Sequence, residues 1–133
     1  MTFYIGKKVK FSILIEQLEV VLGTEIDSLL VRKESSPMFL MADMLEEGFP
    51  LMISINWKIT YTPRLDNVDL AELMAKRFDT RVVTFLPDRL NPARNPHWYF
   101  AADEDGSSWK IKEDLALRNR DGLFLADATK VPL

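Results

Sequence analysis

A chain of 133 residues, 47% hydrophobic and 28% charged, has the length and composition of one ordinary globular domain and none of the marks of a disordered one. The absence of Cys excludes disulfides, thiolate zinc sites and a Cys nucleophile. The net charge of −3 is mild, and no basic stripe of the kind that grips nucleic acid is present.

The charge is unevenly placed. Residues 1–12 carry Lys7, Lys8 and Lys10 and no acid. Residues 13–50 carry Glu16, Glu19, Glu25, Asp27, Glu34, Asp43, Glu46 and Glu47 against Arg32 and Lys33, a net of −6, and the remainder balances. Such a tract is either a solvated acidic face or a surface that steers a basic partner. The N-terminus places apolar residues before basic ones, the wrong order for a signal peptide, and no stretch approaches the length of a membrane span. A cytoplasmic protein with no membrane or nucleic-acid partner is expected.

Phe3, Ile5, Val9 and Phe11 alternate with polar or small residues as in a short strand, with a turn at Gly6-Lys7. From Ser12 the period becomes helical: Leu14, Leu18, Val21 and Leu22 share a face, Ser12 can cap the start, and Gly23 stands where a helix stops. A helix is expected over about 12–22. Ile26 to Val31 reads as a strand, broken by Ser35-Ser36-Pro37. Then comes either a strand at Phe39-Leu40-Met41 or a helical turn from Ala42 to Glu47, followed by a loop through Glu46-Glu47-Gly48-Phe49-Pro50.

The second half is patterned more plainly. Leu51, Ile53, Ile55, Trp57, Ile59 and Tyr61 alternate with mostly polar residues, a strand with one buried face that Pro63 ends. Asp66 or Asn67 caps a helix whose Leu70, Leu73, Met74 and Phe78 share a face. Arg81 to Leu86 is apolar on both faces, as in a central strand, and strand–helix–strand at this spacing can form a crossover. Pro87, Asn91-Pro92 and Asn95-Pro96 stiffen an irregular connection that suits a contact surface or a plain crossover equally.

A hairpin follows, with Trp98 and Phe100 facing Ile111 and Trp109 across a four-residue turn at Asp103–Gly106, or across a tighter Asp105-Gly106 turn that keeps the same faces. Asn119-Arg120-Asp121-Gly122 reads as another turn and Leu123-Phe124-Leu125 as a last short strand. Together these elements predict a single domain over residues 1–133 of the α/β (α+β) class. Its sheet should be mixed and largely antiparallel, with about five to seven strands and two main helices packed on it.

No chemistry-bearing motif emerges. His97 is the only histidine, and it starts a strand on the face expected to be exposed; no catalytic residue is assigned. Asp103-Glu104-Asp105-Gly106 lacks the spacing of a calcium loop and reads as a turn, so no metal is expected. Adjacent carboxylates at Glu46-Glu47 or Glu113-Asp114 point apart in the ordinary case, and there is no nucleophile elbow or phosphate-cradling Gly-rich loop. No cofactor is expected. Alternation places Trp57, Trp98 and Trp109 toward the core, which favours packing over an aromatic binding platform.

The strand Leu51–Tyr61, the helix Asn67–Phe78, the strand Arg81–Leu86, the hairpin with Trp98 and Asp105-Gly106, and the acidic surplus give a profile that resembles the small immunity proteins of bacterial toxin systems, including those of contact-dependent inhibition. The resemblance covers roughly the C-terminal two thirds. It implies a non-enzymatic protein that neutralises a cognate toxin, often a nuclease, by covering its active site, with acidic side chains standing in for phosphate. The partner would be a toxin domain with a basic surface. The candidate partner-binding residues are then Asp43, Glu46 and Glu47 in one loop and Asp103, Glu104 and Asp105 in the other. Two further readings stand beside it: an acidic secretion chaperone for an effector, and an enzyme or small-ligand protein with an unfamiliar site.

Overall fold

The computed structural model describes residues 1–117 and 122–133. The chain runs β1 (Thr2–Ile5), α1 (Phe11–Leu22), β2 (Ile26–Ser28), β3 (Met38–Met44), β4 (Leu51–Trp57), α2 (Asn67–Phe78), β5 (Val82–Phe85), β6 (Trp98–Ala102), β7 (Ser108–Glu113) and β8 (Leu125–Pro132), with single 3-10 turns at Asp88–Leu90 and Leu115–Leu117. All eight strands form one sheet in the order β2-β3-β4-β1-β5-β6-β7-β8. Among the described residues only the β2–β3 pair is parallel. The α+β class and the two helices are as expected; the sheet has one strand more than the upper expectation.

Both helices cover one face. Leu14, Ile15, Leu18 and Leu22 of α1, and Val68, Leu70, Ala71, Met74, Ala75 and Phe78 of α2, pack on Phe3, Ile5, Met38, Leu40, Leu51, Ile53, Ile55, Val82 and Phe100. A smaller cluster on the opposite face joins Val83, Tyr99, Ala101, Ile111 and Leu123, with Tyr4, Phe49, Trp109 and Leu125 against it. The alternation of β4 serves the first cluster and that of β6 serves both, which is how the sheet comes to be buried on two sides at its centre.

The helix ends follow local chemistry. Asp66 Oδ1 accepts the Asp69 N–H at 2.9 Å, and Lys76 and Arg77 sit in the last turn, where cations suit the helix dipole. Gly23 closes α1 in the left-handed region at φ 69°, its N–H on the Glu19 carbonyl. The expected Ser12 cap is absent: α1 starts one residue earlier, from Lys10, with no side-chain cap. Leu73, expected on the buried face of α2, is largely exposed.

Two strands are shorter than their apolar runs. β2 stops at Ser28 because the Val31 carbonyl accepts the Ser28 N–H at 3.1 Å and the Ser28 Oγ accepts the Val31 N–H at 2.9 Å, folding Leu29 and Leu30 into a tight turn. β4 stops at Trp57. Lys58 donates its N–H to the Pro37 carbonyl and accepts the Tyr61 N–H, so Ile59 falls in a turn and is fully exposed. Residues 38–44 are strand throughout, and the helical turn considered from Ala42 does not form.

The hairpin departs from expectation in parity. Its register is Trp98↔Lys112, Tyr99↔Ile111, Phe100↔Lys110, Ala101↔Trp109. The Gly106 N–H bonds the Asp103 carbonyl at 3.1 Å and the Asp103 N–H bonds the Ser107 carbonyl at 2.8 Å, which leaves a three-residue loop with Gly106 at φ 91°. This is a turn plus a glycine bulge, and the odd residue exchanges the faces of the return strand. Trp98 and Phe100 therefore sit opposite Lys112 and Lys110, whose ammonium groups lie 5.0 and 4.5 Å from the Trp98 ring centre. Trp109 turns to the other face, and Lys130 lies 4.0 Å over it. Trp98 packs partly buried against the first cluster and Trp109 against the second, as core packing requires, whereas Trp57 is 39% exposed and departs from the expectation.

The last strand begins at Leu125 and runs to Pro132, later and longer than the expected Leu123–Leu125; Leu123 packs in the second cluster instead. Its pairing with β7 is interrupted between Lys110 and Lys112, where Thr129 Oγ1 accepts the Lys112 N–H at 2.9 Å. The turn expected at Asn119-Arg120-Asp121 lies outside the described residues.

Candidate functional site

The register places both acidic loops at one end of the sheet. Leu51 pairs with Ile5, Ile5 with Val82, and Val82 with Ala102, so the β3–β4 connection and the β6–β7 tip leave the same end. Three strand spacings, about 14 Å, separate β4 from β6. They do not merge into one acidic surface. Lys7 and Lys8, both exposed, leave β1 between them, and Arg81 sits before β5.

Within the hairpin tip the three acids part company. The Asp103 carboxylate accepts Arg81 Nε–H at 2.6 Å, Arg81 Nη2–H at 3.3 Å and Trp109 Nε1–H at 2.8 Å, and it is largely buried. The carboxylates of Asp103 and Asp127, at 2.6 and 3.0 Å, hold the Arg81 guanidinium above its ordinary pKa. Asp103 thus holds the hairpin to β5 and does not project, contrary to its expected place on an exposed acidic tip. Glu104 and Asp105 do project. The Ser107 N–H bonds the Asp105 carboxylate at 2.9 Å and lowers its pKa.

In the other loop, Asp43 belongs to β3 itself and is exposed, Glu46 is exposed in the connection, and Glu47 is half-buried. The surrounding acidic tract is sorted by the fold. Glu19 binds Lys33 at 2.6 Å and accepts the Ile26 N–H; burial raises its pKa, and these two contacts outweigh it to leave the pKa lowered. Asp27 accepts the Lys33 N–H at 2.7 Å and Arg32 Nε–H at 3.1 Å, which lowers its pKa. Glu34 also meets Arg32, at Nη2, 3.3 Å away. No ion pair among the described residues includes Asp43 or Glu46.

Beside Asp43 lies a surface with no counterpart in the expected site. Leu29 and Leu30 are each 76% exposed at the tip of their turn, and Met41 and Met44 are 48% and 57% exposed. Phe11, Leu29, Leu30, Leu40, Met41, Ala42 and Asp43 line a notch of about 340 Å³. The turn is held from below by Ser28, fully buried, and by Asp27 through Lys33 and Arg32. Leu29 and Leu30 extend the apolar run of β2, so the pattern alone predicts a longer strand. The Ser at position 28 was the available signal that the chain turns there.

At the opposite end of the sheet, Trp57, Arg64, Asp66, Asn67, Asp69 and Phe85 line a cleft of about 510 Å³. Several of its polar groups are engaged. Asp66 caps α2 and binds Arg89 at 3.1 Å, and the Asn67 amide donates to the Phe85 carbonyl at 2.9 Å. His97 is half-buried, not exposed, with Nδ1 3.5 Å from Glu113. It is absent from the cleft lining, so the cleft gains no imidazole. Among the described residues no three His, Asp or Glu side chains gather to hold a metal, and no helix is long and apolar enough to cross a membrane. No protein-family model, curated protein or solved structure matches the chain.

Proposed function

We propose that this chain works by binding another protein, and that its principal contact surface is the Leu29–Leu30 turn with the adjoining edge of β3, Asp43 and Glu46. The observation that carries this reading is a pair of leucines, three-quarters exposed, on a turn fixed by hydrogen bonds to buried groups. Exposed apolar side chains beside unpaired carboxylates have the make-up of an interface: an apolar centre with a charged rim that orients the partner. Glu104 and Asp105 form a second, smaller acidic contact.

The specific form we favour is an immunity protein that neutralises a bacterial toxin domain with a basic surface. The net charge of −6 over residues 13–50 supports it, as does the placement of its unpaired members next to the apolar surface. Co-expression with the product of the adjacent reading frame tests it. The expected result is a co-purifying complex, protection of the host cell, and at least ten-fold weaker binding after Leu29→Ser with Asp43→Lys and Glu46→Lys, the loss being larger at low salt than at high salt. A product that is neither toxic nor bound removes the immunity role; a complex indifferent to the three substitutions removes the surface.

A further inference from the structure

The open edge beside the notch has a polarity that narrows what can lie on it. Just outside the two ends of β3, the Pro37 carbonyl accepts the Lys58 N–H and the Leu45 N–H donates to the Pro50 carbonyl, both on the side of β4. Backbone groups alternate in direction along a strand, so Ala42 and Met44 point theirs the other way. On that side β2 pairs only with Met38 to Leu40 and then turns at Ser28. The second half of β3 is therefore a strand edge with outward N–H and C=O groups at Ala42 and Met44 and no neighbouring strand among the described residues.

We propose that a partner protein adds an extended segment of about four residues to Met41–Met44, in line with β2, by main-chain hydrogen bonding. This rests on the protein-binding reading and goes further by naming the mode and the segment's pattern. Even-numbered side chains of β3 face the helices and odd-numbered ones the opposite side, as the burial of Met38 and Leu40 shows. The added segment would place apolar side chains in the notch beside Phe11 and Ala42, and a cation on the other face opposite Asp43. The complement is an apolar–basic alternation. A second copy of this chain fits poorly: a two-fold antiparallel pairing here sets Asp43 against itself or covers it with Met41.

The probe is a capped heptapeptide of alternating Val and Lys, titrated against the whole chain with amide NMR as readout. The expected result is binding that shifts Ala42 and Met44 and slows their amide exchange. Binding should be at least ten-fold weaker for the alternating Val and Glu peptide, for a peptide N-methylated on alternate residues, and for Ala42→Pro, which removes an outward N–H without breaking a ladder bond. If Ala42→Pro does not fold, the N-methylated peptide carries the comparison alone. Equal affinity for the N-methylated peptide, shifts confined to other strands, no binding at millimolar peptide, or a homodimer paired through this edge each overturns the proposal. A partner complex weakened by Asp43→Lys but not by Ala42→Pro would leave the protein-binding reading standing and remove only the added strand.

Discussion

Arg81 and Asp103 form a two-pronged ion pair, Nε to Oδ1 at 2.6 Å and Nη2 to Oδ2 at 3.3 Å, and the same carboxylate accepts the Trp109 indole N–H. Arg81 precedes β5, Asp103 follows β6 and Trp109 lies in β7, so one carboxylate joins three consecutive strands of the sheet. Asp103→Ala leaves the Arg81 guanidinium with Asp127 alone and strands the Trp109 indole donor, and should cost about 2 kcal/mol in urea unfolding. Glu104→Ala, one residue along and exposed, should fall within about 0.5 kcal/mol of wild type. Equal losses for the two would contradict the structural role given to Asp103.

Acid should destabilise the fold through Glu19 and Asp27. Their pKa values lie below the ordinary 4.5 and 3.8, so the folded state binds fewer protons than the unfolded chain in the window beneath those values. Their stabilising contribution is full above pH of about 5 and is lost as pH falls through the folded-state values. Thermal melts should show Tm level from pH 7 to 5 and falling below 4, with the drop reduced in Asp27→Asn.

Alkali acts in the reverse sense through Tyr4. Burial raises its pKa above 10.0, and the charge of Glu113 adds to this. The folded state then holds the phenol proton longer than the unfolded chain, so stability is full below pH 10 and declines as pH rises through the folded value. The phenolate absorbance of the folded protein should include a fraction titrating later than in a denatured sample, and Tyr4→Phe should reduce that delayed fraction.

Gly48 and Gly122 should resist substitution far more than Gly106. All three have positive φ, at 69°, 119° and 91°. A Cβ on Gly48 would overlap the Leu123 carbonyl, and one on Gly122 the Glu47 carbonyl, whereas no atom of the described residues lies within 4 Å of a Cβ on Gly106. Gly106→Ala should cost about 1 kcal/mol from backbone conformation alone, and Gly48→Ala at least about 3 kcal/mol because a backbone must also move. Unfolding free energies that rank the other way would refute the packing of these two loops.

Leu30→Ser should leave stability within about 0.5 kcal/mol of wild type, since the side chain is three-quarters exposed. Leu40→Ala, fully buried one strand away, should cost about 2–5 kcal/mol. Leu30→Ser should also lower the protein's tendency to bind apolar dyes or to self-associate, a change that Leu40→Ala would not make.

The sequence was most readable where one face of one element sets the pattern. Leu51, Ile53 and Ile55 alternate because β4 lies under both helices, and Leu70, Met74 and Phe78 recur because α2 lies on that sheet. It was opaque where a single residue changes the count. Gly106 adds an odd residue to the hairpin, and Ser28 ends a strand inside an apolar run. The length of β8 is not legible in the sequence because an edge strand with Asp127, Thr129 and Lys130 lacks a buried face to impose alternation. Composition gives the charge of the acidic tract, but not which carboxylates meet Arg32, Lys33 or Arg81. That is a matter of tertiary approach, and it moved Asp103 out of the candidate surface while leaving Asp43 and Glu46 in it.

The glycine bulge at Gly106 also constrains how this hairpin can change length. Removing one residue from the tip would exchange the two faces of β7, lifting Ile111 out of its cluster and turning Lys110 and Lys112 into it. Removing or inserting two would leave every side chain where it is. Natural variants of this chain should therefore differ at the tip by even steps, and a variant that differs by an odd step should carry a compensating bulge elsewhere along β7.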